Sequence, residues 1–311
     1  MKILITGASG FLGKNTCIYL SKMGYDVNAF TRSFCKLPSN INLVQAESLE
    51  AIFSNNKLIE NLECVIHIAG KAYDSKKLTV NDENAYFKNN TEDTIKFASK
   101  CASRSIKRFI FVSTIKVNGE STNINSSFTE KDIPNPCGAY ALSKYKAEKE
   151  LQNISRKTNM EVVIVRPPLI YGKGVKGYFR TMMKLIKLKI PLPFGSFKKN
   201  KRSFIYIENF LHFLSVLIKH PKAANEIFLC SDNYDLSTAC LLEELSIAMH
   251  NRNFLFKIPR FLFLTLFIIG KGDLYRKFNQ SLQVDNSKAL IILGWKPPVS
   301  FKKAIKKVSS L

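Results

Sequence analysis

The chain has 311 residues, 46% of them hydrophobic, and a formal net charge of +23 at pH 7. This length and apolar content allow one large domain or two closely packed ones, and they exclude wholesale disorder. The lysines are spread along the whole chain and are not concentrated in one stripe with interleaved aromatics, which argues against a nucleic-acid-binding protein. A solvated basic face, an anionic substrate or loose membrane attraction remain as explanations of the charge.

Short apolar strands alternate with longer amphipathic stretches through the first two-thirds of the chain. Strands are predicted at residues 2–6, 26–30, 42–46, 64–69, 108–114, 161–167 and 226–231, and helices at 11–24, 89–103 and 140–157. Continuous apolar runs are typical of strands buried on both faces. Repeated strand–helix–strand order predicts an α/β fold with a Rossmann-type, doubly wound parallel sheet, whose ligands bind at the carboxyl ends of the strands.

A glycine-rich loop follows the first predicted strand and opens the first helix, in the sequence GASGFLG at 7–13. Glycines let the backbone turn tightly and approach a pyrophosphate, and the helix N-terminus supplies oriented N–H groups and the positive end of the helix dipole. This arrangement predicts a dinucleotide site formed by Gly7, Gly10, Phe11, Leu12 and Gly13.

The end of the second strand bears on the choice of cofactor. A site selective for NAD usually has Asp or Glu at this tip to hold the ribose 2′-hydroxyl, whereas Asp26 stands at the opposite end of the strand. Arg32 stands where it could pair with a 2′-phosphate. The sequence therefore favours NADP(H), with NAD(H) as the second candidate.

The fifth strand and the following long helix carry candidate proton-transfer groups. Tyr140 and Lys144 are one helical turn apart, so the phenol and the ammonium project from one face. A phenol is a poor base at neutral pH, and we expect the nearby ammonium, together with the charge of the nicotinamide, to favour its ionised form. Thr114 ends the fifth strand, where its hydroxyl would face the same cleft. With the glycine loop, this order of motifs predicts a dehydrogenase or reductase site.

Beyond about residue 172 the strand–helix pattern weakens, which predicts a smaller mixed α/β domain. We expect a nucleotide-binding domain from 1–172 and about 203–230, and a substrate-binding domain from about 173–202 and 231–311. The apolar run FLFLTLFII at 261–269 is shorter than the roughly twenty residues that cross a bilayer. It is interpreted as a buried or interface helix, with weak membrane-surface contact as the alternative, and no transmembrane segment is expected.

The location of the protein is predicted from its first residues and its cysteines. The sequence begins with a strand-like run and has no secretory signal pattern. Its seven cysteines lack C-x-x-C spacing and several stand in apolar runs, which predicts buried, reduced thiols. An odd, unpatterned set favours a reducing compartment, so we expect a cytoplasmic protein, and no metal site is predicted.

Several motifs follow one another from the start to the end of the chain: GASGFLG, IHIAG, Asn90, FVSTIKVNG, YALSK, VVIVRPPLIYG, RSFIYIENF and LGWKPPVS. On these motifs together, the chain resembles the extended short-chain dehydrogenases/reductases of the NAD-dependent epimerase/dehydratase family. This resemblance implies that Thr114, Tyr140 and Lys144 form the catalytic set, with Thr114 also binding the substrate. It further implies cofactor contacts at Ala69, Tyr140, Lys144 and Pro167, a diphosphate contact at Arg202, a UDP-sugar substrate and a homodimer.

Three chemistries share such a site. A 4,6-dehydratase of this family carries Asp-Glu just after the strand-five threonine, but Ile115 and Lys116 stand there, which argues against it. Arg32 and the missing acidic residue favour a reductase, and several segments resemble bacterial enzymes of surface-polysaccharide synthesis that reduce UDP-4-keto-6-deoxy-N-acetylhexosamines at C4. The alternatives are a 4-epimerase of UDP-glucose or UDP-N-acetylglucosamine and a non-catalytic nucleotide-sensing protein on this fold.

Overall fold

The computed structural model describes residues 1–73, 79–175, 177–251, 254–259, 261–262 and 272–309. Within these residues, seven parallel strands form one sheet in the order β3-β2-β1-β4-β5-β6-β9, and β7 pairs with β8 in a second, two-stranded sheet. The strands are β1 Lys2–Thr6, β2 Asp26–Thr31, β3 Asn42–Gln45, β4 Leu62–His67, β5 Arg108–Val112, β6 Glu161–Arg166, β7 Leu169–Tyr171, β8 Phe204–Tyr206 and β9 Ile227–Leu229.

Helices connect these strands and continue beyond the large sheet. They are α1 Phe11–Lys22, α2 Asn56–Ile59, α3 Val80–Phe87, α4 Asp93–Ser103, α5 Gly138–Lys157, α6 Tyr178–Lys187, α7 Ile207–Lys219, α8 Thr238–Ala248, α9 Gly272–Asn279, α10 Ser287–Leu293 and α11 Phe301–Ser309. No helix among the described residues combines the length and apolar character needed to cross a bilayer.

Helices cover both faces of the large sheet because alternate strand residues point to opposite sides. Ile3 and Ile5 of β1 pack in one apolar cluster with Phe210 of α7. Leu4, between them, packs in a second cluster with Phe97 of α4. All five side chains are at most 1% exposed. The prediction of a doubly wound parallel sheet with continuously apolar strands is confirmed.

The order in which strands are added to the sheet reverses at β1, in the middle of the sheet. β1 pairs with β2 on one side and with β4 on the other. In an open parallel sheet the connections on the two sides of such a point leave in opposite directions, and this opens a crevice at the carboxyl ends of the strands. The crevice lies beyond β1, β4 and β5, where the glycine loop and Thr114 follow their strands.

A further apolar cluster lies beside the large sheet. It joins Tyr171, Phe179, Phe204, Leu241 and Phe301, which belong to β7, α6, β8, α8 and α11. Most of the elements in this cluster come from the region after residue 172, where the strand–helix pattern of the sequence weakens. The proposed division into two domains stays a prediction.

The predicted strands match those of the large sheet, and their ends differ by a few residues. β4 ends at His67 because the backbone N–H groups of Ile68 and Ala69 donate to the hydroxyl of Thr6 at 3.1 Å, so the chain turns away from its neighbouring strand. β5 ends at Val112, which places Thr114 beyond the strand. Helix α5 begins at Gly138, two residues earlier than predicted.

Two further predictions meet the structure in part. Cys17, Cys64, Cys101 and Cys230 are buried free thiols, but Cys137 is exposed just before α5, so the prediction of buried thiols is wrong for that residue. The helix predicted at 261–269 lies, from residue 263 onward, outside the described residues.

Candidate active site

The glycine loop closes tightly around the start of α1. Gly7 has φ +77°, and a Cβ atom there would lie 2.9 Å from the backbone nitrogen of Ala69. A Cβ atom on Gly13 would lie 2.1 Å from the carbonyl oxygen of Gly7. Only glycine allows this approach. Gly10 is the N-cap of α1 and offers no side-chain cap, so the first-turn N–H groups of Phe11, Leu12 and Gly13 stand open to an anionic group.

The tip of β2 carries the candidate selectivity residue. Thr31 ends the strand, and its hydroxyl donates to the carbonyl oxygen of Ser33 at 2.8 Å. Arg32 follows with an exposed side chain whose Nη1 donates to Asn89 Oδ1 at 3.1 Å. The guanidinium is therefore directed toward the residues between α3 and α4.

Tyr140 lies in the first turn of α5 and meets Thr114. Burial raises the pKa of Tyr140 to about 12, and the side-chain hydroxyl of Thr114 acts in the opposite direction and lowers it. The rings of Tyr73 and Tyr86 meet the Tyr140 ring edge-on, each with 5.8 Å between ring centroids. The protein alone thus holds a protonated, oriented phenol.

Lys144 is buried one turn after Tyr140. Its Nζ donates to the carbonyl oxygen of Val112 at 3.0 Å and lies 4.5 Å from the ring centroid of Phe111. Burial lowers the pKa of Lys144 to about 8, while the carboxylate of Glu148 raises it. The side chain therefore titrates close to neutral pH.

These candidate residues share one cleft at the carboxyl ends of the strands. A cavity of about 270 Å³ is lined by Leu12, Thr114, Tyr140, Lys144 and Pro167, together with residues 70–72. The carbonyl oxygen of Pro167 accepts a hydrogen bond from the backbone of Ile115 at 3.0 Å, which ties the segment after β6 to the segment after β5. Ala69 lies against the glycine loop beside this cavity.

Arg202 is not among the residues that line this cavity and stands two residues before β8. Its backbone bridges to Leu236 and Leu282, and its Nη1 donates to the carbonyl oxygen of Gln280 at 3.2 Å. Burial lowers the pKa of Arg202, whereas the nearby Tyr178 and Glu120 raise it. Among the described residues no cluster of three or more His, Cys, Asp or Glu side chains is placed to hold a metal ion.

Several polar residues that support this site were given no role from the sequence, although Asn90 and His67 stand among the features that carry the family resemblance. Asn90 is fully buried and its side-chain amide donates to the hydroxyl of Ser143 at 3.1 Å, which joins the turn before α4 to α5. His67 is also fully buried and bonds Thr6 and Thr94 through its two ring nitrogens, at 2.9 and 3.0 Å. A polar residue at the end of an apolar strand was the signal for His67.

A buried ion pair was missed as well. Oε2 of Glu148 in α5 lies 2.5 Å from Nη2 of Arg166 in β6, and the two side chains are 2% and 3% exposed. The sequence signals were an arginine inside the apolar run EVVIVRP and a glutamate one turn beyond Lys144.

Known proteins match the chain along its length. Residues 3–230 match the NAD dependent epimerase/dehydratase family. A UDP-glucose 4-epimerase of Vibrio cholerae is 37% identical over 310 residues, an alignment that covers 99% of this chain and 94% of the relative.

Two solved structures from Bacillus cereus share the fold. The UDP-N-acetylglucosamine 4-epimerase superposes with a TM-score of 0.81 at 21% identity, covering 99% of this chain and 98% of the other. The UDP-glucuronic acid 4-epimerase in complex with NAD gives 0.76 at 19% identity, covering 99% and 97%.

Proposed function

The chain belongs to the NAD dependent epimerase/dehydratase family, and we propose that it is a UDP-hexose 4-epimerase that inverts the configuration at sugar C4. The similarity that carries this proposal is the 37% identity, over nearly the whole chain, with the UDP-glucose 4-epimerase of Vibrio cholerae. This similarity favours the epimerase over the 4-ketoreductase that the sequence analysis preferred. The meeting of Thr114, Tyr140 and Lys144 in one cleft supports an enzyme over a nucleotide-sensing protein.

The residues around the glycine loop fit a nicotinamide dinucleotide. The close approach of Gly13 to Gly7 leaves room for a pyrophosphate against the uncapped start of α1. Lys144 and Pro167 would lie beside the nicotinamide end, because both line the cleft beyond the loop. When bound, the dinucleotide supplies a ring that takes hydride from the sugar carbon and returns it.

In this proposal Tyr140 moves the proton while hydride moves at the sugar carbon. Tyr140, as phenolate, takes the proton of the C4 hydroxyl as hydride leaves C4, which gives a 4-keto sugar. It returns the proton to the oxygen when hydride re-enters on the opposite face. Thr114 shares the hydrogen bond to that oxygen, and the Lys144 charge stabilises the phenolate. Since burial raises the pKa of Tyr140 to about 12, positive charge near the phenol is required for its ionisation at neutral pH.

A 4-ketoreductase that uses NADPH is the second candidate. It is favoured by the absence of an acidic side chain from the tip of β2, where Thr31 is followed by Arg32. A reductase exchanges its cofactor in each turnover, and a cationic site for a 2′-phosphate suits NADPH.

One incubation separates the two candidates. The purified protein is mixed with UDP-glucose or UDP-N-acetylglucosamine without added cofactor, and the sugar products are resolved by NMR. Formation of the C4 epimers supports the epimerase. Absence of epimers, together with oxidation of added NADPH by a UDP-4-keto-6-deoxy-N-acetylhexosamine, would reject it in favour of the reductase.

A further inference from the structure

The Glu148–Arg166 ion pair lies directly behind the candidate active site. Glu148 follows Lys144 by one turn of α5, as Lys144 follows Tyr140, so the three side chains share one face of the helix. Arg166 ends β6 and directly precedes Pro167. The pair therefore joins the helix that carries two candidate catalytic residues to the strand end that borders the cleft.

Two more side chains, both from the segment that follows β5, extend this contact. The hydroxyl of Ser113 donates to Glu148 Oε1, and Ser113 directly precedes Thr114. On the other side, Arg166 Nη1 donates to Asn118 Oδ1 at 3.0 Å. The Glu148 carboxylate is thus the point at which α5, the end of β5 and the end of β6 meet.

We propose that Glu148 is a positioning residue for the reaction: it docks the face of α5 with Tyr140 and Lys144 against the ends of β5 and β6, and its charge acts on the Lys144 ammonium. This inference rests on the proposed function, since it presumes that Tyr140 transfers the proton and that Lys144 stabilises its phenolate.

Stability alone gives no reason for a buried ion pair at this place. Removing two charges from water is costly, and apolar residues of similar volume often stabilise a protein equally well or better. A carboxylate with several hydrogen bonds does fix the geometry between three elements, which packing of apolar side chains does less strictly. Glu148 is also the charged group that raises the pKa of Lys144 against the effect of burial. Without it, a larger share of Lys144 would be neutral near pH 7.

The test compares the wild type with Glu148→Gln and with the double variant Glu148→Gln/Arg166→Gln. The double variant leaves no unpaired buried charge, so it keeps the test valid if the single variant folds poorly. The matched control is Glu161→Gln. Arg108 and Glu161 pair at 2.6 Å across the same two strands, β5 and β6, but at their opposite ends.

The first readout does not depend on activity. Protein labelled with ¹⁵N at lysine Nζ is titrated by NMR, and the Lys144 signal is identified by its loss in Lys144→Met. We expect a wild-type midpoint near pH 8. Glu148→Gln should titrate lower by about half a pH unit or more, because a nearby negative charge is lost, and the double variant should shift less, because it also loses the positive charge of Arg166. Glu161→Gln should titrate like the wild type.

The second readout is turnover with a UDP-hexose. Glu148→Gln should lower kcat by about tenfold or more with little change in KM, because proton transfer depends on alignment within the cleft. An unchanged Lys144 midpoint and unchanged kcat in the Glu148 variants would overturn the proposal. If the wild type epimerises no sugar yet the midpoint moves, the proposed function fails while the action of Glu148 on Lys144 stands.

Discussion

The Nζ atom of Lys144 donates a hydrogen bond to the carbonyl oxygen of Val112 at 3.0 Å. Val112 is the last residue of β5, so the side chain reaches from α5 to the sheet two residues before Thr114. This contact fixes the ammonium at the cleft without neutralising it, because a carbonyl oxygen carries no charge. The residue is therefore ready to act on groups that enter the cleft.

Replacing Tyr140 by Phe tests the proton-transfer residue. The change removes the phenolic hydroxyl but keeps the ring beside Tyr73 and Tyr86. We expect turnover to fall by roughly 10²–10⁴-fold, the usual contribution of a general acid–base, with folding intact. Tyr145→Phe, on the same helix, is the control and should keep wild-type turnover. Near-normal turnover in Tyr140→Phe would exclude this role.

Replacing Lys144 by Met tests the burial of the ammonium. The folded-state pKa of Lys144 is about 8, below its ordinary value of 10.5. Between these two pH values the unfolded chain binds more protons, so Lys144 makes the wild type more stable as pH rises. The stability of Lys144→Met relative to wild type should therefore be greater at pH 7 than at pH 10.5, by about 3 kcal/mol. Urea unfolding of both proteins across this range measures it, and a difference that does not change with pH would contradict it.

The sequence predicted the sheet well because buried parallel strands are continuous apolar runs. Runs as short as KILIT and RFIFV match the length of strands better than that of helices. It also predicted that Thr114, Tyr140 and Lys144 would share a cleft. Helix spacing places Tyr140 and Lys144 on one face of α5. Because the strands are parallel, Thr114 at the end of β5 lies at the same edge of the sheet.

Other parts of the site depend on contacts between residues far apart in the chain. Glu148 and Arg166 meet only because α5 packs on β6, and no local pattern states which buried charges will pair. Burial raises the pKa of Tyr140 in the protein alone, and the packing of Tyr73 and Tyr86 against its ring could not be judged from spacing along one helix. The lowering of this pKa by Lys144 together with a bound nicotinamide stays a prediction.

His67 should make the protein sensitive to acid. Burial, and to a lesser extent the charge of Lys144, lower the pKa of His67 to about 3 from 6.5. Below pH 6.5 the unfolded chain takes up the proton that folded His67 refuses, so stability falls as the pH decreases toward 3. Between pH 7.5 and 4.5, the free energy of unfolding of His67→Gln should fall by about 2–3 kcal/mol less than that of the wild type. Urea unfolding at both pH values measures this. The exposed His250 provides the control, and its change to Gln should leave the acid sensitivity as it is.

Replacing Arg202 by Ala tests the proposed contact to the substrate diphosphate. A charge-assisted hydrogen bond to phosphate contributes enough that we expect roughly ten- to a hundredfold weaker binding of UDP, with little change for the nicotinamide dinucleotide. Calorimetry with both ligands measures this. Lys201→Ala removes an exposed neighbouring cation and should affect neither ligand. Equal UDP affinity in Arg202→Ala and wild type would place the diphosphate elsewhere.

Replacing Arg32 by Ala tests cofactor choice and, with it, the reaction. In the structure Arg32 is exposed beyond β2 and donates to Asn89, within reach of a group bound at the strand tip. If it pairs with a 2′-phosphate, the wild type should bind NADPH roughly ten- to a hundredfold more tightly than NADH, and Arg32→Ala should remove that difference while leaving NADH binding as it was. Lys36→Ala removes an exposed positive charge nearby and is the control, since it should leave the affinities for both nucleotides as they are. An epimerase that retains NAD should instead show no NADPH preference, equal affinities in Arg32→Ala and wild type, and bound NAD after purification. Fluorescence titration and mass analysis of the purified protein distinguish these results, and the second pattern is the one that the proposed 4-epimerase requires.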